Sequence, residues 1–277
     1  MLLQRVITAL VLLALLLPAL LADSWWPFAA LSLVMIGAAG WEWGRLNGWT
    51  GARAVALGLA VVATCAAAWR AGWAIQTPPA LWWVACVGWA IGGGLALRAG
   101  PPAWPKLPQA ARLLLGWLML SVAWLALTAA KQRGLGFILS AMCIVWAADI
   151  AAYFGGRALG RRKLAPSISP GKSWEGVWSG MVGALALAAA WLAVERSWAP
   201  AGPSVFAQLA ERGIPWLVVS VVGLCALSVV GDLIESMSKR AVGAKDSSRL
   251  LPGHGGVLDR IDALLPVLPA VMALVSI

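Results

Sequence analysis

Nine apolar runs, near residues 5–22, 25–44, 54–74, 80–98, 112–130, 134–153, 174–194, 214–235 and 262–277, leave this 277-residue chain few folds to choose from. Each is about 20 residues long or nearly so, the length an α-helix needs to cross the ~30 Å hydrocarbon core of a bilayer. That core offers no water to backbone N–H and C=O groups, so the runs are expected as helices. The chain is 61% hydrophobic and 12% charged, whereas soluble domains carry about 25% charge. The first run follows Arg5 and precedes Asp23. It exceeds the ~7–15 apolar residues of a signal peptide and Leu20 fits a cleavage site poorly, so it is read as a helix. The last run holds Pro266 and Pro269, tolerable in a membrane helix with a kink. The expected fold is therefore an all-α, polytopic integral membrane protein of about nine transmembrane helices. Residues 1–130 supply N-terminal helices and 131–277 the C-terminal region with the polar motifs, in one membrane domain overall.

The basic residues predict an orientation. With the N-terminus inside, Arg5, Arg45, Arg53, Arg98, Lys106, Arg112, Arg157, Arg161, Arg162, Lys163, Lys172, Lys239, Arg240, Lys245, Arg249 and Arg260 fall on the inner side. Arg70, Lys131, Arg133, Arg196 and Arg212 fall on the outer side. Sixteen against five places the N-terminus in the cytoplasm and the C-terminus outside. The same rule accounts for the net charge of +10 without a nucleic-acid partner. Cys65, Cys86, Cys143 and Cys225 lie in apolar runs without CxxC or Cys/His spacing. They read as packing residues, neither disulfides nor zinc ligands. Tryptophan pairs such as Trp25-Trp26 and Trp82-Trp83 end apolar runs, as interfacial anchors do.

Polar chemistry is concentrated in two stretches of the C-terminal half. The first, Asp149 to Gly176, opens with a carboxylate in an otherwise apolar helix, with Tyr153 one turn on along the same face. Intramembrane charge is costly and usually functional. Its SPGKSWEG segment brings Lys172, Ser173 and Glu175 to a helix start. Ser173 can cap that helix, and the N–H groups there, with Lys172, suit a phosphate. It is not a P-loop, because Pro166 stands at the upstream glycine position and no strand is expected before it. The second stretch, Gly231 to Asp262, holds five of the 11 acidic residues, Asp232, Glu235, Asp246, Asp259 and Asp262. It also holds Lys239, Arg240, Lys245, Arg249, Arg260 and the single histidine, His254. Asp232, Glu235, Ser236 and Lys239 share one helical face. Gly253, Gly255 and Gly256 can take positive φ and admit a ligand closely. Asp259 and Asp262 are spaced to share a hard cation such as Mg²⁺, which keeps coordination positions for substrate phosphates. His254, between glycines, is a candidate phosphate donor. Asp149, Asp232, Asp246 and Asp259 are the candidate metal ligands. Acids for metal beside bases for phosphate are what phosphoryl or nucleotidyl transfer needs. At the cytoplasmic membrane boundary, that chemistry implies a lipid substrate.

The run S-x-x-K-R-x-x-x-x-K-D-x-x-x-x-x-P-G-H-G-G-x-x-D-R-x-D, from Ser236 to Asp262, resembles the signature of the phosphatidate cytidylyltransferases, the CDP-diacylglycerol synthases. The upstream D-x-x-A-Y-x-x-G-R and S-P-x-K-[ST]-W-E-G, from Asp149 to Gly176, are similar to that family too. The resemblance implies a multi-helix enzyme of the cell membrane, the inner membrane of a bacterium. Such an enzyme joins CTP and phosphatidate into CDP-diacylglycerol and pyrophosphate, with Mg²⁺ and a nearby K⁺. It matches the family's metal-binding carboxylates to Asp232 and Asp259. The expected catalytic set is Asp232, Asp246, Asp259, Lys239 and Lys245. The expected substrate-binding set is Lys172, Ser173, Arg240, His254, Gly255, Gly256, Arg260 and Tyr153. A homodimer is compatible with this reading. Ile150 stands where the family usually has Thr, and Ser238 where it usually has an apolar residue. The competing readings are a transferase or kinase for another lipid, such as a polyprenol, and a cation-coupled transporter relaying through Asp149 and Asp232. Crowding of the polar residues into one half counts against the transporter, which would show paired repeats.

Overall fold

The computed structural model describes residues 2–197 and 202–277. Its helices run in chain order as α1 (Leu2–Leu21), α2 (Trp26–Leu46), α3 (Gly51–Arg70), α4 (Pro79–Val87), α5 (Gly94–Ala99), α6 (Gln109–Gln132), α7 (Leu135–Leu159), α8 (Trp174–Ser197), α9 (Val205–Ala210), α10 (Ile214–Ala241), α11 (Leu258–Ile261) and α12 (Leu264–Leu274). A π-helical turn at Gly88–Gly93 joins α4 to α5, so the two act as one span. Among the described residues, seven helices are long and apolar enough to cross a membrane: α1, α3, the α4–α5 span, α6, α7, α8 and α10. They match seven of the nine expected runs.

The other two runs differ for separate reasons. α2 has 21 residues, ~31 Å at 1.5 Å each, but Trp26, Trp41, Trp43 and Glu42 lower its apolarity. It packs against α1, α3 and α6 instead of facing lipid broadly. α12 has only 11 residues, ~16 Å, about half the hydrocarbon core. All of Leu264–Ala273 is buried, against α4, α6 and α10. A short helix suffices because the chain re-enters low. A Cβ on Gly231 of α10 would lie 2.4 Å from the Asp262 carbonyl and 2.8 Å from Pro266. Gly231 is ten residues before the end of α10 at Ala241, ~15 Å down its axis.

The bundle has two distinct ends. At one, the Thr8 hydroxyl donates to the Pro252 carbonyl (2.9 Å), and Asn47 Oδ1 accepts from Trp104 (3.1 Å) and Arg112 (3.3 Å). At the other, Lys131 donates to the Ala22 carbonyl (3.0 Å), Arg133 to Gln208 (3.1 Å), and the Ser204 N–H to Glu195 (2.8 Å). Arg112 therefore lies at one end and Lys131 and Arg133 at the other, on the sides expected of them. Both polar stretches lie at the end shared by Thr8 and Asn47.

Two features shape that end. α7 and α8 form the most extensive pair, along a seam of small residues where a Cβ on Gly180 would lie 2.8 Å from the Ala148 carbonyl. Lipid supplies no hydrophobic drive between helices, so such close backbone approach is what holds them. Between them the chain departs from all-helical structure: β1 (Lys163–Ala165) pairs antiparallel with β2 (Ser169–Ser173). The Gly-Lys-Ser sequence, expected without a strand before it, lies inside β2 itself. It is extended and does not wrap as a phosphate loop. The hairpin's turn is pinned by Ile168, buried, whose carbonyl accepts from Arg240 Nε at 3.3 Å.

Candidate active site

Three elements bring the first group together. β2 presents Lys172, whose Nζ lies 2.5 Å from Asp232 Oδ2 on α10. The other Asp232 oxygen accepts from Ser236 one turn on, at 3.2 Å. Lys172 and Asp232 side chains are 28% and 30% exposed, so this pair is open enough for a substrate to reach. Asp149 on α7 is exposed and within electrostatic reach of both. Among the described residues it makes no side-chain hydrogen bond, so both its oxygens keep lone pairs available.

The second group is closed. Lys239 lies between two carboxylates, 2.5 Å from Glu235 and 2.6 Å from Asp259 Oδ1. Asp259 Oδ2 accepts from the Ser247 N–H (2.9 Å), the Ser247 hydroxyl (2.8 Å) and the Gly256 N–H (2.8 Å). Four donors meet this carboxylate, three of them on Oδ2, which has no lone pair to spare. Burial pulls the Asp259 carboxyl up, but the Lys239 ammonium and the N–H groups of Gly256 and Ser247 outweigh it and hold it at about 2. Asp262 behaves oppositely. Burial, then the charge of Asp232, pushes it up to about 7. Its field also touches Lys239 and Lys172, which links the two groups.

The remaining expected residues spread around these groups. Ser173 is buried and accepts from the Gly176 N–H at 3.2 Å, the cap expected of it. Glu175 accepts from the N–H groups of Arg161 (3.0 Å) and Arg162 (3.1 Å), closing the end of α7 onto α8. Tyr153 is exposed beside Phe154, its hydroxyl 3.4 Å from Arg157. Arg240 bridges the Ile168 carbonyl and the Ala244 carbonyl (2.9 Å), bracing the hairpin against the loop after α10. Arg260 spends its guanidinium on the His254 carbonyl, at 2.9 and 2.6 Å. His254 Nδ1 is buried without a protein partner among the described residues. Gly253 and Gly255 take φ of +75° and +82°, as expected of them, whereas Gly256, expected with them, does not take positive φ. The Gly256 N–H is committed to Asp259 and so does not face a phosphate. Lys245 and Asp246 are exposed on the loop. The four cysteines are free. Ser238, a departure from the family pattern, is buried and satisfies its hydroxyl on the Ile234 carbonyl at 2.9 Å.

The donor set decides how a divalent cation would fit. Among the described residues no three His, Cys, Asp or Glu side chains form a ready-made metal cage. Mg²⁺ does not need one. It is bound by one or two carboxylates and fills its shell with water and substrate phosphates. Asp149, with free oxygens, and Asp232 beside it fit that description. Asp259, with four donors, is engaged in this arrangement.

Sequence reading missed Glu42. It is fully buried on α2 and accepts from the Ser248 hydroxyl (2.5 Å), the Val257 N–H (3.0 Å) and the Leu258 N–H (2.7 Å). The signal was present, since a carboxylate in an apolar helix is costly wherever it falls.

A family model described as "Cytidylyltransferase family" matches residues 3–277. The chain is 42% identical over 279 aligned positions to a phosphatidate cytidylyltransferase of Pseudomonas aeruginosa, covering 99% of this chain and 97% of that protein. It is 49% identical over 137 positions to one of Haemophilus influenzae, covering 50% and 44%. Against one of Bacillus subtilis it is 41% identical over 149 positions, covering 53% and 49%.

Proposed function

Because this chain belongs to the cytidylyltransferase family, we propose that it transfers the cytidylyl group of CTP to phosphatidate, giving CDP-diacylglycerol and pyrophosphate. The observation that carries the reading is the open Lys172–Asp232 pair with Asp149 beside it. It joins a cation for phosphate to spare carboxylate oxygens for metal, at one end of a membrane bundle. A phosphate oxygen of phosphatidate bonds to the α-phosphorus of CTP. The bond from that phosphorus to the bridging oxygen breaks, and pyrophosphate leaves with the electron pair. The lipid phosphate is already ionised, so no side chain is needed as nucleophile.

Lys172 binds phosphate charge, its ammonium held by Asp232 while still partly exposed. Lys245, exposed on the loop after α10, is a second candidate for phosphate charge. Lys239 sits between Glu235 and Asp259 and Arg240 braces the hairpin, so both shape the site instead of meeting CTP. Asp149 and Asp232 would hold Mg²⁺, which when bound neutralises phosphate charge.

The sixteen-to-five division of basic residues supports a cytoplasmic site end, with the N-terminus inside. α12 runs away from that end beside α4, which supports a C-terminus outside. The reaction is tested by incubating the purified protein with labelled CTP and phosphatidate. Label must enter the lipid phase as CDP-diacylglycerol, one pyrophosphate per product. Absence of lipid-borne label with Mg²⁺ present would reject the assignment.

A further inference from the structure

Glu42 is the one carboxylate of the first 130 residues that reaches the signature segment. Its Oε1 takes the Ser248 hydroxyl and the Val257 N–H, and its Oε2 takes the Leu258 N–H. It is 0% exposed and has no cation in contact among the described residues. Burying a carboxylate is costly unless hydrogen bonds compensate it. A tether alone would be cheaper with a neutral side chain. What a neutral amide cannot do is accept at both ends, because its NH₂ can only donate. Three donors converge on Glu42, and only an acceptor at both oxygens meets all of them.

The donors interleave with those of Asp259. Gly256 N–H goes to Asp259, then Val257 and Leu258 N–H go to Glu42. Ser247 binds Asp259, and its neighbour Ser248 binds Glu42. The two carboxylates grip the same loop from opposite sides. Gly256 passes between them so closely that a Cβ there would lie 2.0 Å from Ser247 Oγ and 2.3 Å from Glu42 Oε1. Asp259 in turn places Lys239.

We propose that Glu42 is a positioning residue of the transfer reaction, fixing the 247–258 loop and through it the Asp259–Lys239 contact. The proposal rests on the cytidylyl-transfer reading for its kinetic readout. Glu42 is fully buried beneath the loop, so it acts through the loop, on turnover and not on substrate affinity.

The test compares Glu42→Gln, Ser248→Ala and Ser247→Ala with wild type in detergent, below their melting temperatures. Glu42→Gln should lower kcat by ~10–100-fold with KM for CTP and phosphatidate within about twofold. Ser248→Ala, losing one of the three bonds, should lose less, about 2–10-fold. The Glu42→Gln/Ser247→Ala double variant should lose less than the product of the single losses, because both act by placing Asp259. A merely destabilising role would give the product. Glu195→Gln is the control, since it removes a comparable serine-bound carboxylate at the far end and should leave kcat unchanged. Glu42→Gln with kcat within twofold of wild type, or a multiplicative double variant, overturns the proposal. Where Glu42→Gln does not accumulate, unchanged kcat in Ser248→Ala overturns it. If wild type makes no CDP-diacylglycerol, the reaction reading has failed. Amide exchange at Val257 and Leu258 then judges the contact, and unaltered protection in Glu42→Gln, or in Ser248→Ala where Glu42→Gln does not accumulate, rejects it.

Discussion

The ammonium of Lys239 lies 2.6 Å from Asp259 Oδ1, twenty residues on, and joins the end of α10 to the start of α11. Asp259→Asn leaves that ammonium with Glu235 alone and should lower turnover by about 10²–10³-fold, the size of one strong electrostatic contact. The protein should still insert. The contact is also pH-dependent. Asp259 is held at about 2, below its ordinary value near 4, so its contribution is full above pH ~4 and is lost as pH falls toward 2. It amounts to about 2 kcal/mol. Unfolding in detergent from pH 5 to 2 should show this loss in wild type and not in Asp259→Asn.

Lys172→Ala should raise KM for CTP, lower kcat, or both, since phosphate charge is present in ground and transition states alike. Lys172→Arg should restore part of the loss, because a planar fork does not reproduce an ammonium. Lys106→Ala should change little. Ser173→Ala should cost about 1 kcal/mol of stability through the lost cap. Kinetic constants unchanged in Lys172→Ala would remove it from the site.

The proposed cation site rests on Asp149 and Asp232. Each Asn variant should raise the Mg²⁺ concentration for half-maximal activity by about tenfold, equivalent to ~1.4 kcal/mol. Chelation should silence wild type, and added Mg²⁺ should restore it. An unaltered Mg²⁺ curve in both variants would exclude them as ligands.

Gly256→Ala places a methyl against Ser247 and Glu42, both buried. Overpacking of this kind costs about 1–3 kcal/mol, read as a lower melting temperature. Gly171→Ala, with nothing within 4 Å of the new methyl, should melt near wild type. Equal melting of the two variants would mean the loop does not pass between the carboxylates.

A reporter active only in the cytoplasm, fused after Ile277, should be inactive. Activity would place the C-terminus inside and reverse the course of α12.

Much of this architecture was legible because periodic greasiness and basic asymmetry are properties of local sequence. Lys172, Asp232, Lys239 and Asp259 stood out as candidates because charge is rare in an apolar chain, and the structure pairs Lys172 with Asp232 and Lys239 with Asp259. α12 was not legible at its true length. The 262–277 run is apolar for packing against α4, α6 and α10, and nothing local distinguishes that from facing lipid. The β1–β2 hairpin was missed because its strands are three and five residues long, too short for an alternating pattern. Glu42 was passed over because its partners lie 206 to 216 residues away, and no spacing rule spans that distance.

The low re-entry of the chain beside Gly231 has an energetic consequence for the proposed lipid substrate. α10 has 28 residues, ~42 Å against a hydrocarbon core of ~30 Å, so a re-entry ~15 Å below its end falls near the level of the lipid headgroups. Drawing a diacyl lipid out of its leaflet would cost ~0.8 kcal/mol per methylene, tens of kcal/mol for two long chains. A lipid phosphate met at that level leaves the acyl tails in hydrocarbon throughout, so that only the water-soluble nucleotide has to travel.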